Sequence, residues 1–148
     1  MPSYSGNTGL REPFGKNQYL RSTKDVKTDS YTMADGGIPT EDIDGDDLKV
    51  LQPGTLIAAI TSGGDSGKVG VFDSGASDGR QTAANIVGVA DTFLPWELNE
   101  RDAEIAVTYE ATCVQAWCFE YVAGVRTALT NATRDAVVAL ETNDLHFR

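Results

Sequence analysis

A mainly β fold with one short C-terminal helix is what the chain predicts, and three observations carry that expectation. Short runs of β-branched and apolar residues recur from Leu48 onward, each bounded by Pro-Gly, Gly-Gly or Asp-Gly. Apolar residues make up 41% of 148, enough for one folded unit with a modest core. A helical period of apolar residues surfaces near the C-terminus, in "TNATRDAVVALETND".

The elements follow in chain order. Residues 1–47, ending in "TMADGGIPTEDIDGDD", are rich in Ser, Thr, Gly, Asp and Lys, with aromatics only at Tyr4, Phe14, Tyr19 and Tyr31. So little apolar surface does not offset the ordering entropy of the backbone, so residues 1–47 are expected to form a flexible, extended N-terminal arm and 48–148 the β-rich domain. Within that domain strands are expected at Leu48–Gln52, Thr55–Ile60, Lys68–Asp73, Asn85–Ala90 and Glu104–Tyr109. The run "ATCVQAWCFEY" is read as a further strand whose two faces both carry bulk, hence buried on both sides or lying in a subunit contact. Cys113 and Cys118 then face opposite ways along it, which predicts two small buried thiols and no disulfide. In the helix Ala132, Ala136, Val137 and Leu140 share a face, Thr130 or Asn131 can cap the start and Asn143 can close the end. A short strand at "LHFR" is expected last.

Twenty-two acidic against twelve basic side chains give a net charge of −10, which disfavours non-specific binding to nucleic acid or to an anionic membrane. The charge is uneven: residues 1–30 hold five basic and three acidic groups, +5 − 3 = +2, leaving −12 for the remainder. A mildly basic arm on an acidic body suits an interaction tether. Residues 1–30 contain no apolar run of the ~7–15 residues that a secretory signal needs, and no stretch approaches the ~20 of a membrane span.

Three stretches imitate chemistry and fail on spacing. "GGDSGK" has Ser62 where a phosphate-binding loop needs its first glycine, and Val69 where it needs Ser or Thr. Gly64-Asp65-Ser66-Gly67 matches a serine-protease nucleophile segment, but the chain's one histidine, His146, lies two residues from the end, so no general base accompanies it. A Gly-rich hairpin loop with Lys68 opening the next strand is the preferred reading. "EDIDGDD" places Asp42, Asp44 and Asp46 at calcium-loop spacing, yet Asp47 and Pro53 occupy the positions that must be glycine and glutamate. It is read as a solvated acidic hinge. Asn131-Ala132-Thr133 is a glycosylation sequon that carries no weight without a secretory signal. No enzyme, metal or cofactor is therefore expected, and function is expected to lie in surfaces.

In order, "LQPGTLI" (Leu51–Ile57), "GKVGVFD" (Gly67–Asp73), "SDG" (Ser77–Gly79) and "AANIVGVA" (Ala83–Ala90) precede the "EATCVQAW" segment, the helix and the last strand. Over residues 48–148 this series resembles the lambda-type bacteriophage head decoration proteins, which cement capsids. In that resemblance Asp78-Gly79 makes a turn and Gly88 lets another backbone come close. It implies a small β-tulip-like domain, made in the host cytoplasm and placed as a homotrimer on the outer surface of the virion head. There it would bridge major capsid protein subunits and stabilise the head against DNA pressure. The family's N-terminal segment contacts the capsid, which points to Phe14, Tyr19, Leu20 and Tyr31 as capsid-binding residues through strand addition. The bulk of "CVQAWCFEY" points to Trp117 and Phe119 at the subunit interface. "FLPWELNERD", Phe93 to Asp102, departs from the family's compact form. The alternative function is a virion or cell-surface adhesion module that binds glycan or receptor through exposed loops, a reading that clustering of Phe93 and Trp96 on one exposed face would favour.

Overall fold

Residues 19–22, 24–43 and 45–148 are described by a computed structural model. They form β1 (Lys27–Met33), β2 (Glu41–Ile43), β3 (Asp46–Leu48), β4 (Leu56–Ala59), β5 (Val69–Val71), β6 (Ile86–Ala90), β7 (Ala103–Cys113), β8 (Phe119–Val122), β9 (Val125–Ala128), the helix α1 (Asn131–Val138) and β10 (Asp144–Phe147). The fold is mainly β with a single helix near the C-terminus among the described residues, as the turn-punctuated apolar runs require.

Five strands close on themselves. β7 pairs antiparallel with β1 and, over Val107 and Thr108, with β6; β6 pairs with β4 and β4 with β5, both antiparallel. The circle is completed by the parallel contact of Met33 with Val69 and by the Ala34 amide donating to Val69 O at 3.0 Å. Closure covers strand edges that would otherwise template pairing with other chains. β10 joins the far end of β7 in parallel, with Leu145 opposite Ala111.

The alternation of side chains along a strand separates two cores. In β4, Ile57 points into the barrel with Met33, Val69, Val71, Ile105 and Val107, while Leu56 and Ala58 point outward. The outward set meets Ile86, Val89, Val137 of α1 and Leu145 of β10 in a second core. β7 serves both because it carries one extra residue: Thr28 faces Thr108 and Lys27 faces Glu110, so Tyr109 is bulged out. Before the bulge Ile105 and Val107 fill the barrel; after it Ala111 and Cys113 fill the second core. A matching irregularity bulges Val87 from β6, since Ile57 faces Gly88 and Ala58 faces Ile86. At Gly88, with φ +154°, a Cβ would lie 2.3 Å from Thr108 O, which is the close backbone approach expected there.

Several expectations are corrected. Composition assigned residues 1–47 to a flexible arm, but from Tyr19 onward the described residues belong to the folded body. β1 is a barrel stave that pairs with β7 along its length, on either side of the Tyr109 bulge, and Met33 is completely buried. Its polar residues face solvent while Tyr31 and Met33 face inward, so β7 and not its own apolar content supplies the burial. The acidic "EDIDGDD" is the β2–β3 hairpin, not a hinge, with Ile43 opposite Asp46 and Gly45 in the turn at φ +87°. "ATCVQAWCFEY" is not one strand: a single 3-10 turn at Gln115–Trp117 separates β7 from β8. That turn brings Cys113 and Cys118, both free, into the same core instead of onto opposite faces. Contact with Cys113, then burial, pushes the Cys118 thiol up.

"FLPWELNERD" closes one part of the barrel interior with Leu94 and Leu98, around a 3-10 turn at Glu97–Asn99. "GGDSGK" is the expected loop between β4 and β5, with the Ile60 amide donating to Lys68 O at 2.9 Å. Thr130 caps α1 by accepting from the Thr133 amide at 3.3 Å. The expected closure by Asn143 does not occur; the helix ends at Ala139, and Asn143 Oδ1 instead accepts from the Leu145 amide at 3.4 Å.

Candidate interaction surfaces

The four residues assigned to capsid binding do not share a surface. Phe14 lies outside the described residues. Tyr19 is 1% exposed, its hydroxyl donates to Asp91 Oδ1 at 2.6 Å and hydrogen-bonds Thr108 Oγ1 at 2.9 Å. Burial, then the bond to Asp91, pushes this phenol far up and keeps it protonated. Its carbonyl accepts from the Val114 amide at 2.7 Å, and Leu20 bridges Cys113 while packing on the second core. Tyr19 and Leu20 are thus anchors of this protein's own fold, a correction to their reading as residues that fill pockets on a partner. Tyr31 sits apart from them, half-buried at the open end of the barrel.

Trp117 and Phe119 are neighbours in sequence with different environments. Trp117, on the 3-10 turn, is 50% exposed. Phe119 is half-buried with the Arg126 guanidinium 5.4 Å from its ring centroid, within cation–π range. Trp96 is exposed beside Arg101, while Phe93 is half-buried.

Sequence reasoning missed the β8–β9 hairpin. Its tip exposes Val122 and Val125 on either side of Ala123 and Gly124, both at positive φ. Asp73 Oδ1 holds the tip by accepting from the amides of Gly75 at 2.8 Å and Gly124 at 3.3 Å. At its flank Arg126 Nε lies 3.1 Å from Glu41 Oε2, while Glu41 Oε1 and Arg126 Nη1 are buried without a hydrogen-bond partner. Burial, then the Glu41 charge, pushes the neighbouring Tyr121 phenol up. The signal was available as "YVAGVR", two apolar runs around a small-residue pair, but Gly at the second turn position alone is a weak hairpin mark.

Lys68, Asp65 and His146, which figure in the motifs that imitate catalysis, are engaged in ion pairs. Lys68 Nζ lies 2.6 Å from Asp102 Oδ2 and 3.1 Å from Asp65 Oδ1, and Asp102 also accepts from the Asp35 amide at 2.9 Å. The bond to Asp102 is the main cause that raises the Lys68 pKa, and the bond to Lys68 is the main cause that lowers that of Asp102. His146, the one histidine, is exposed beside Asp144 at 3.0 Å.

No family model matches the chain, and no curated protein matches it.

Proposed function

We propose that this protein is a phage head decoration protein, a non-enzymatic cement that binds the outer face of the expanded capsid as a trimer and bridges major capsid protein subunits. The observation that supports this reading is where the resembling motifs fall. "LQPGTLI", "GKVGVFD" and "AANIVGVA" lead into or form β4, β5 and β6, adjoining staves of one barrel. "SDG" makes the turn between them, where Arg80 Nη1 donates to Gly37 O at 2.9 Å and Gly79 passes against Thr61. Motifs that are individually common thus form one continuous substructure, as a shared ancestor would leave it.

In this reading the residues before Tyr19, Phe14 among them, reach the capsid by strand addition. The folded body meets its neighbours through exposed apolar groups, Trp117 first, with Phe119 behind it. Exposed large apolar groups on an otherwise acidic surface mark contacts with other chains. The test mixes purified protein with expanded empty heads and measures co-sedimentation. Saturable binding at a fixed ratio to capsid protein supports the reading; no binding overturns it. Truncating a buried aromatic anchor costs ~2 kcal/mol or more. Trp117→Ala and Phe119→Ala should therefore shift the sedimenting species toward monomer, and unchanged mass for both would remove these residues from the interface.

A further inference from the structure

We propose that the open end of the barrel is a binding site for an alkylammonium group, carried by a small amine or by a lysine side chain. The inference stands apart from capsid attachment.

Its ground is the convergence of the two bulges. Val87 and Tyr109 are the residues that the strand registers leave unpaired, on different strands, and both line one cleft of about 520 Å³. Asp29, Tyr31, Ala59, Asn85 and Ile86 are among the other residues that line it. A bulge costs ladder hydrogen bonds and re-aims a side chain, so two that point into one cavity shape it. The second core needs only the change of parity at Tyr109; it does not need an aromatic hydroxyl there.

The chemistry of the lining selects the ligand. Tyr31 and Tyr109 offer two aromatic rings, Asp29 offers a carboxylate, and Val87, Ile86 and Ala59 offer apolar surface. No Lys, Arg or His lines the cleft among the described residues, in a protein of net charge −10. An anion would find no counter-charge. A cation finds two aromatic rings, a carboxylate and a wall for its alkyl chain, the components from which cation sites are built. Burial is the main cause that raises the Tyr31 pKa, followed by the Asp29 charge and then Tyr109.

The experiment titrates the full chain with cadaverine, with N-acetyl-lysine methylamide and with glucose as a neutral polyol, and follows backbone amide NMR shifts. Either amine should give saturable shifts centred on Tyr31, Val87 and Tyr109, and glucose should give none. The tighter of the two amines tells a free small amine from a lysine on another chain. Asp29→Asn, an isosteric change at an exposed position, should weaken binding about fivefold or more, the scale of a partly exposed cation contact. Asp46→Asn, at the β2–β3 turn, should leave it within about twofold. Tyr31→Leu supplies a second test if its amide spectrum remains that of the folded chain. Shifts spread over the acidic surface, equal loss in Asp29→Asn and Asp46→Asn, an equal response to glucose, or no saturable binding would each overturn the assignment.

Discussion

Tyr19 shows how one side chain fixes the path of a polar segment. Its ring fills the second core, its hydroxyl ties Asp91 to Thr108, and its carbonyl holds Val114. Removing only the hydroxyl leaves Thr108 and Asp91 short of a partner, at a cost of about 1–2 kcal/mol. Tyr19→Phe should therefore lower the urea midpoint with an unchanged slope. Lys68 and Asp102 make a prediction of a different kind, because both remain about one-third exposed and their tie is screened. The depressed Asp102 carboxyl contributes stability above the ordinary carboxylate range and loses it as pH falls through the depressed value. The raised Lys68 ammonium contributes below the ordinary lysine range and loses it as pH rises through the raised value. The difference in midpoint between the protein and Asp102→Asn should thus be flat near neutrality and shrink below about pH 4. A difference that grew on acidification would reverse the assignment.

At the scale of elements, α1 depends on a buried carboxylate from another strand. Glu120 on β8 is 3% exposed; its Oε2 accepts from the Thr130 amide at 2.8 Å and hydroxyl at 2.9 Å, and its Oε1 from the Thr133 hydroxyl at 2.9 Å. The acid thereby meets the positive end of the helix and satisfies its first turn. Glu120→Ala should cost about 2–3 kcal/mol and reduce helical ellipticity, measured by denaturation with circular dichroism.

This dependence also explains what was legible in advance. α1, β4, β5, β6 and β10 were read correctly because their own apolar pattern and turn residues specify them. β1 and β2 were not, because their burial comes from partners: β1 owes its place to β7, and the β2 side chain Glu41 to Arg126. The 3-10 turn at Gln115–Trp117 was hidden because bulk on both alternations of "ATCVQAWCFEY" looks alike in a double-sided strand and in a bend. Of the residues assigned to interaction, Trp117 was found at the surface, whereas Tyr19 and Leu20 were misplaced for one reason: spaced aromatics in a polar segment read as hooks for a partner, and here they hook the chain to itself.

On the scale of the whole molecule, the boundary of the folded body moves from Leu48 to Tyr19, and this changes what a truncation tests. Deleting residues 1–40 removes β1, exposes the edges of β7 and β5, and empties the site of Met33, so the remainder should fail to give a cooperative unfolding transition. Deleting residues 1–18 should leave that transition within about 1 kcal/mol of the full chain, because the barrel and both cores keep every described partner. Only the second deletion separates attachment from folding in the co-sedimentation assay.

The parallel pairing of β10 with β7 bears on time as well as shape. Arg148, beside β10, donates its amide to Cys113 O at 2.9 Å and accepts from the Gln115 amide at 2.9 Å, while Tyr19 reaches Thr108 across 89 positions of sequence. Sealing the second core therefore depends on strands that are distant in sequence. Closure must then join distant segments, and loop entropy is lost before most contacts form. Refolding from urea should accordingly take milliseconds to seconds, the range of β folds dominated by non-local pairing. Microsecond refolding in a stopped-flow or temperature-jump trace would show that the barrel assembles from local pieces instead.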